Sequence, residues 1–133
     1  MFVTEIMSPA PIVCAPNDTA DYAAKLMLDH NVGELPVCDG AKVIGVVTDR
    51  DLTVRGTATG KSPADLEVRA LMTQPVYTAG EFDPVERAAG LMERKHLRRL
   101  PVVDRNGRLV GMLSRTDLAR EGEIRKKHLA QIL

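Results

Sequence analysis

The 133 residues are 44% hydrophobic and 27% charged, enough for one core of ordinary size and unlike a disordered segment. Eighteen basic and eighteen acidic residues cancel, and with two Phe, two Tyr and no Trp the chain lacks the basic face and stacking aromatics of a nucleic-acid binder. Apolar runs such as Val43 to Val47 are too short to cross a bilayer, and Met1 to Met7 show neither a basic nor an apolar leader region, so a cytoplasmic protein is expected.

In chain order, Val3 to Met7 reads as a short lead-in helix closed by Ser8-Pro9, and Pro11 to Cys14 as a short strand. Asp18 or Thr19 then stands where a helix cap belongs, before Ala20, Ala23, Ala24, Met27 and Leu28 at helical spacing, and Asn31-Val32-Gly33 ends that helix. Leu35 to Cys38, an Asp39-Gly40 turn and Val43 to Val47 form a hairpin, after which Thr48 caps a second helix through Val54. Residues 55–63 form a polar loop. Gly56 to Ser62 mimics a phosphate-binding loop, but three residues separate its glycines instead of four and a helix precedes it instead of a strand. Asn17-Asp18-Thr19 fits a glycosylation sequon and is more simply a turn and cap.

The order then recurs. Val68 to Met72 is a second lead-in closed by Thr73-Gln74-Pro75, followed by a strand at Val76 to Thr78, a helix from Pro84 to Lys95, strands at Leu100 to Val103 and Leu109 to Leu113, and a helix from Ser114 onward. Val3, Met7, Asp18, Ala23, Met27, Leu35, Pro36 and Val37 reappear as Val68, Met72, Asp83, Ala88, Met92, Leu100, Pro101 and Val102, an offset of 65 residues. The offset becomes 66 beyond the hairpin tip, where Gly45, Asp51 and Leu52 answer Gly111, Asp117 and Leu118. The fold expected is therefore mixed α+β: tandem βαββα repeats related by a pseudo-twofold axis. In each repeat a right-handed crossover makes the first two strands parallel and the third antiparallel, with the bare apolar sheet faces hidden against each other. The expected divisions are repeat one at 1–60, a linker at 61–67, repeat two at 68–122 and a tail at 123–133. The halves differ in charge: residues 1–66 carry five Lys/Arg against nine Asp/Glu, for −4, and residues 67–133 carry thirteen against nine, for +4.

Each third strand ends alike, in Gly45-Val46-Val47-Thr48-Asp49-Arg50-Asp51 and Gly111-Met112-Leu113-Ser114-Arg115-Thr116-Asp117. A hydroxyl three residues before a carboxylate is a capping box, which a helix start alone can require. The same arrangement offers unpaired amides at the positive end of a helix, suited to phosphate, and a carboxylate suited to the two vicinal hydroxyls of a ribose.

With its Met-[Ser/Thr], Leu-Pro-Val and Gly-x-x-[Thr/Ser]-x-x-Asp motifs in two βαββα units, the chain resembles a cystathionine-β-synthase (CBS) domain pair, or Bateman module, over residues 1 to about 122. It resembles the small stand-alone bacterial members. The resemblance implies two clefts that bind AMP, ADP, ATP or S-adenosylmethionine, each shared across the repeats. One would use Thr48 and Asp51 with Thr73, Val76, Leu97, Arg98 and Arg99; the other Ser114 and Asp117 with Ser8, Ile12, Val32, Gly33 and Glu34. Arg98 and Arg99 favour a phosphate, where Glu34 repels one, so the first cleft is expected to take a phosphorylated adenosine ligand and the second to be weak or to suit a ligand without phosphate there. It also implies a homodimer forming a four-repeat disc, a regulatory role signalling to an unnamed protein, and no catalysis. The other readings are a ligand-independent scaffold, with the motifs serving as caps, and an S-adenosylmethionine binder.

The remaining residues read as structural. Cys14 and Cys38 lie on expected neighbouring strands, where a disulfide is conceivable and free buried thiols are expected. His30, His96 and His128 lack metal-ligand spacing, so no metal is assigned. Arg120 to Leu133, with Ile124, Leu129, Ile132 and Leu133 among basic residues, reads as an amphipathic helix that packs on its own domain or on a partner.

Overall fold

The computed structural model describes the backbone of residues 1–132 and the side chains of 1–122 and 126. Its elements are β1 (Ser8–Pro9), α1 (Ala20–His30), β2 (Glu34–Asp39), β3 (Lys42–Thr48), β4 (Ala79–Gly80), α2 (Val85–Lys95), β5 (Arg99–Val103), β6 (Leu109–Ser114) and α3 (Arg115–Ile132). Single 3₁₀ turns at Val3–Glu5 and Val68–Ala70 occupy the expected lead-ins, and a π-helical turn spans Asp51–Gly56. The fold is mixed α+β, as the sequence predicts.

The chain divides into two compact units, Ile12–Val76 and Met1–Pro11 with Tyr77–Leu133. Each therefore takes its lead-in from the other repeat. In Ile12–Val76, the amides of Val68 and Arg69 donate to the carbonyls of Asp18 (2.8 Å) and Pro16 (2.9 Å). In the other unit, Val3 and Thr4 donate to Asp83 and Glu81, both at 2.9 Å. The 65-residue correspondence holds bond for bond. Sequence order alone gives no sign of this exchange.

In the Ile12–Val76 unit, β2 and β3 form a hairpin in which Glu34 pairs with Thr48 and Val37 with Gly45, and a bulge at Ile44 shifts the register. The tip is Gly40-Ala41, one residue later than expected, with Gly40 at φ +62°. The expected strand at Pro11 to Cys14 is reduced to one parallel bridge from Cys14 to Val37; Ile12 and Val13 are 36% and 40% exposed, so they have little apolar cover to hold them in a sheet. The core gathers Cys14, Ala23, Met27, Leu35, Val37, Val47 and Val68, all 6% exposed or less. Each fully buried aliphatic side chain among them contributes about 1.5–3 kcal/mol of burial.

The second unit builds a four-stranded sheet in the order β1-β6-β5-β4. β4 is parallel to β5, and β5 antiparallel to β6, as the crossover rule predicts. Two expectations move. The strand predicted at Val76 to Thr78 lies at Ala79–Gly80, because the small Ala79 enters the core beside Ala88 and Met92 whereas Tyr77 is 39% exposed. Ser8-Pro9, expected only to close the lead-in helix, is β1 itself and pairs with Met112 and Gly111. The core is Val3, Ala79, Ala88, Met92, Leu100, Val102 and Leu113. Val3 here and Val68 in the other unit occupy matching places.

Helix ends follow local chemistry. Neither Asp18 nor Thr19 caps α1 by its side chain; Asp18 Oδ2 instead accepts from the Ala15 amide at 2.7 Å, and the first helical amide, Ala20, donates to Leu66 O. Asp83 does the same for Gly80, at 2.8 Å. α1 and α2 stop at Asn31 and His96, both left-handed, φ 52° and 55°. The helix after β3 continues to Ala58, four residues past the expected end, so the polar loop is shorter than residues 55–63. α3 runs without a break to Ile132; its expected amphipathic pattern at Ile124, Leu129, Ile132 and Leu133 rests on side chains outside those described.

Cys14 and Cys38 are free and buried. Cys14 is in register with Val37, so the pleat directs Cys38 to the other face, away from a bridge. Burial, then the Asp18 carboxylate and Cys38, pushes the Cys14 thiol from 9.0 up to about 12, and burial raises Cys38 too. Below pH 9 the thiols are protonated whether the chain is folded or not. Above it the unfolded chain ionises first, so stability falls toward pH 12, by at most about 1.4 kcal/mol per pH unit for each thiol. Urea midpoints at pH 8 and 10 should therefore drop less in Cys14→Ala than in the wild type; equal drops would refute this origin.

Candidate functional site

Both Gly-x-x-[Thr/Ser]-x-x-Asp motifs begin on a glycine for a steric reason. A Cβ on Gly45 would lie 2.9 Å from Met72 Sδ and 3.1 Å from the Thr73 carbonyl oxygen. One on Gly111 would overlap Met7 Sδ and lie 2.9 Å from the Ser8 carbonyl oxygen. The missing side chain lets a Met-[Ser/Thr] segment lie directly along the strand. Val46 and Thr73 exchange backbone bonds of 3.3 and 2.7 Å, and the Gln74 side-chain amide donates to Ile44 O at 3.0 Å. Gln74-Pro75 is cis.

Each motif then turns into its helix through a reciprocal capping box. The Thr48 amide donates to Asp51 Oδ2 and the Asp51 amide to Thr48 Oγ1, both at 3.0 Å. Ser114 and Asp117 repeat this at 2.9 and 3.1 Å. Asp51 gathers more. Thr73 Oγ1 reaches its two oxygens at 3.3 and 3.5 Å, and Arg55 Nε stands 3.8 Å from Oδ1. The π-helical turn contains both Asp51 and Arg55, whose Nη1 donates to the carbonyls of Leu71 (3.3 Å) and Met72 (3.2 Å). Asp51 Oδ2 is thus committed to the cap, while Oδ1 carries only long contacts and can accept further donors. The Asp51 side chain is 12% exposed, the Arg55 side chain 53%.

Of the first predicted set, Thr48, Asp51, Thr73 and Val76 belong to the Ile12–Val76 unit and Leu97, Arg98 and Arg99 to the other. The structure brings Thr48, Asp51 and Thr73 together. Of the second set, Ser8, Ser114 and Asp117 share one unit; Ile12, Val32, Gly33 and Glu34 share the other. The residues before Leu-Pro-Val also meet the motif of their own unit. Gly33 O accepts from the Asp49 amide at 2.9 Å, and Arg98 O from Arg115 at 3.0 Å. Glu34 is cross-strand from Thr48, and Arg99 from Ser114. Arg55 was not among the predicted residues, although its place four after Asp51 on a helix is the signal for an ion pair.

Among the described residues, no three His, Cys, Asp or Glu side chains are grouped to hold a metal ion, and no helix is long and apolar enough to cross a membrane.

The CBS domain family model matches residues 3–55 and 68–123. An uncharacterized protein of Methanopyrus kandleri is 36% identical over 117 residues, 87% of this chain and 60% of that protein. The CBS domain-containing protein YhcV of Bacillus subtilis is 37% identical over 117 residues, 88% of this chain and 82% of its own length. This chain thus spans less than two thirds of the first relative and most of the second. Among solved structures, CBSX2 in complex with AMP superposes with a TM-score of 0.81 at 30% identity, covering 94% of this chain and 98% of that one; CBSX2 is an Arabidopsis thaliana protein. The CBS domain pair of protein MJ0100, in complex with 5′-methylthioadenosine and S-adenosyl-L-methionine, gives 0.81 at 31% identity with the same coverage. Hypoxic Response Protein I with two coordinated zinc ions gives 0.83 at 30% identity, covering 90% and 98%. A protein of that name comes from Mycobacterium tuberculosis.

The glycine contacts make a direct test. Gly111→Ala should cost about 1–3 kcal/mol in urea unfolding, and Gly45→Ala less, since only at Gly111 does the backbone itself approach below 3.0 Å. The capping geometry makes another: Asp117→Ala should cost about 1–3 kcal/mol, by stranding the part-buried Ser114 amide. Unchanged urea midpoints would show that neither contact bears on stability.

Proposed function

This chain belongs to the CBS-domain family, and on that premise we propose that it is a cytoplasmic regulatory module that binds an adenosine nucleotide and signals to a protein partner, without catalysing a reaction. The observation that carries the reading is the Asp51 carboxylate, one oxygen fixed by the Thr48 amide and the other, 3.5 Å from Thr73 Oγ1, open to further donors. A carboxylate oxygen with lone pairs to spare is an acceptor that ribose hydroxyls can use. Arg98 and Arg99 supply the phosphate contacts in this reading, with Val76 and Leu97 beside the base. A guanidinium can bind phosphate through two parallel hydrogen bonds, whereas Glu34 in the other set opposes an anion by about 4 kcal/mol at 4 Å before screening. Ser114, Asp117, Ser8, Ile12, Val32 and Gly33 form the second set with Glu34, suited to a ligand uncharged at that end. The solved relative with S-adenosyl-L-methionine supports that class as the ligand there. The reading includes a homodimer, which the family resemblance implies.

A scaffold reading draws on a specific observation too: both motifs satisfy a helix start through their own hydroxyls and amides. Ligand-induced stabilisation separates the two, since a ligand at one hundred times its Kd adds about 2.7 kcal/mol to the folded state. AMP, ADP or ATP should raise the melting temperature of the wild type. Arg99→Ala should abolish most of that rise, and Asp51→Ala nearly all of it. Binding that survives Arg99→Ala and disappears in Asp117→Ala would assign the nucleotide to the second set instead. No shift with any adenosine compound would leave the scaffold.

A further inference from the structure

Arg55 does more than decorate a helix. Its Nη1 bridges the Leu71 and Met72 carbonyls, which belong to the segment carrying Thr73, while Nε stands 3.8 Å from Asp51 Oδ1. One guanidinium therefore links the carboxylate to the segment whose hydroxyl faces it. The contacts on Asp51 are long, so neither Thr73 nor Arg55 saturates Oδ1. Because Nη1 is spent on backbone carbonyls, the side chain is anchored against its own unit. The matching position of the second repeat holds Glu121, so an acid stands where the first repeat has its guanidinium.

We infer that Arg55 is a positioning residue, which orients the Asp51 carboxylate and fixes the Met72-Thr73 segment against it so that ribose hydroxyls meet a preformed acceptor. This rests on the adenosine reading above and adds to it a residue outside the Gly-x-x-Thr-x-x-Asp motif. A planar fork can serve carboxylate and carbonyls together; an ammonium cannot span both. Since the effect concerns the ribose, it is blind to phosphate. A residue that contacts phosphate would instead separate AMP from adenosine.

Calorimetric titration of the full chain with adenosine and with AMP tests this. Arg55→Met should weaken both by the same factor, about tenfold, the size of one charge-assisted hydrogen bond. Hydrogen exchange at the Thr73 amide, bonded to Val46 O, should accelerate in the same variant. Arg55→Lys keeps the charge and should retain most of the loss for both ligands; it carries the comparison if Arg55→Met fails to fold. Unchanged affinities in the variants would overturn the role of Arg55 alone. A loss for AMP but not adenosine would overturn it as well, making Arg55 a phosphate contact. A wild-type chain that binds neither compound would remove the adenosine reading, and this inference with it.

Discussion

One close approach organises each unit: a Met-[Ser/Thr] segment lying on a strand at a glycine. Where Gly45 leaves room, Met72 and Thr73 settle onto β3, and Thr73 arrives beside Asp51. Arg55 can then use the Leu71 and Met72 carbonyls. At Gly111 the same clearance admits Met7 and Ser8 onto β6. The glycine that looks like part of a ligand motif thus acts first on the backbone. The carboxylate three residues beyond the hydroxyl is placed by what that backbone permits.

On this shared frame the two copies differ in charge. The motif of the Ile12–Val76 unit has Glu34 across the strand and Asp49 at the helix start, with Arg55 one turn beyond Asp51. The other has Arg99 across the strand, Arg115 at the helix start and Glu121 one turn beyond Asp117. The Arg115 side chain is itself engaged, donating to Leu97 O at 3.1 Å. Backbone bonds are reproduced almost atom for atom while the charges around them reverse. The two repeats share one scaffold and differ in the charge set around it.

Local pattern made much of this readable. The hairpins of β2 with β3 and β5 with β6, the helices α1 and α2, and the paired motifs follow from periodicity, turn residues and the repeat itself. Tertiary choices were not readable. Val76 to Thr78 has the stronger strand propensity, yet Ala79 fits the core and takes the ladder. Ser8-Pro9 offers two exposed residues and no apolar alternation, so nothing marks it as a strand until β6 is beside it. Asp18 looks like a cap and closes a turn instead, because its carboxylate is nearer the Ala15 amide than the helix. At the site, Thr48 with Asp51 was legible from spacing, but Arg55 gained meaning only once the carbonyls it bridges were located.

The traded lead-ins also bear on how the polypeptide matures as it leaves the ribosome. The body made of residues 12–76 is one uninterrupted stretch, so all of its own contacts can form once Val76 has emerged. The other draws on residues that bracket it, so its earliest segment, with Val3 and the Ser8-Pro9 strand, must wait unpartnered until Leu100, Val102 and Leu113 have been made. A change within Met1–Pro11 therefore falls on residues of the divided body and alters none of the residues that make up the contiguous one.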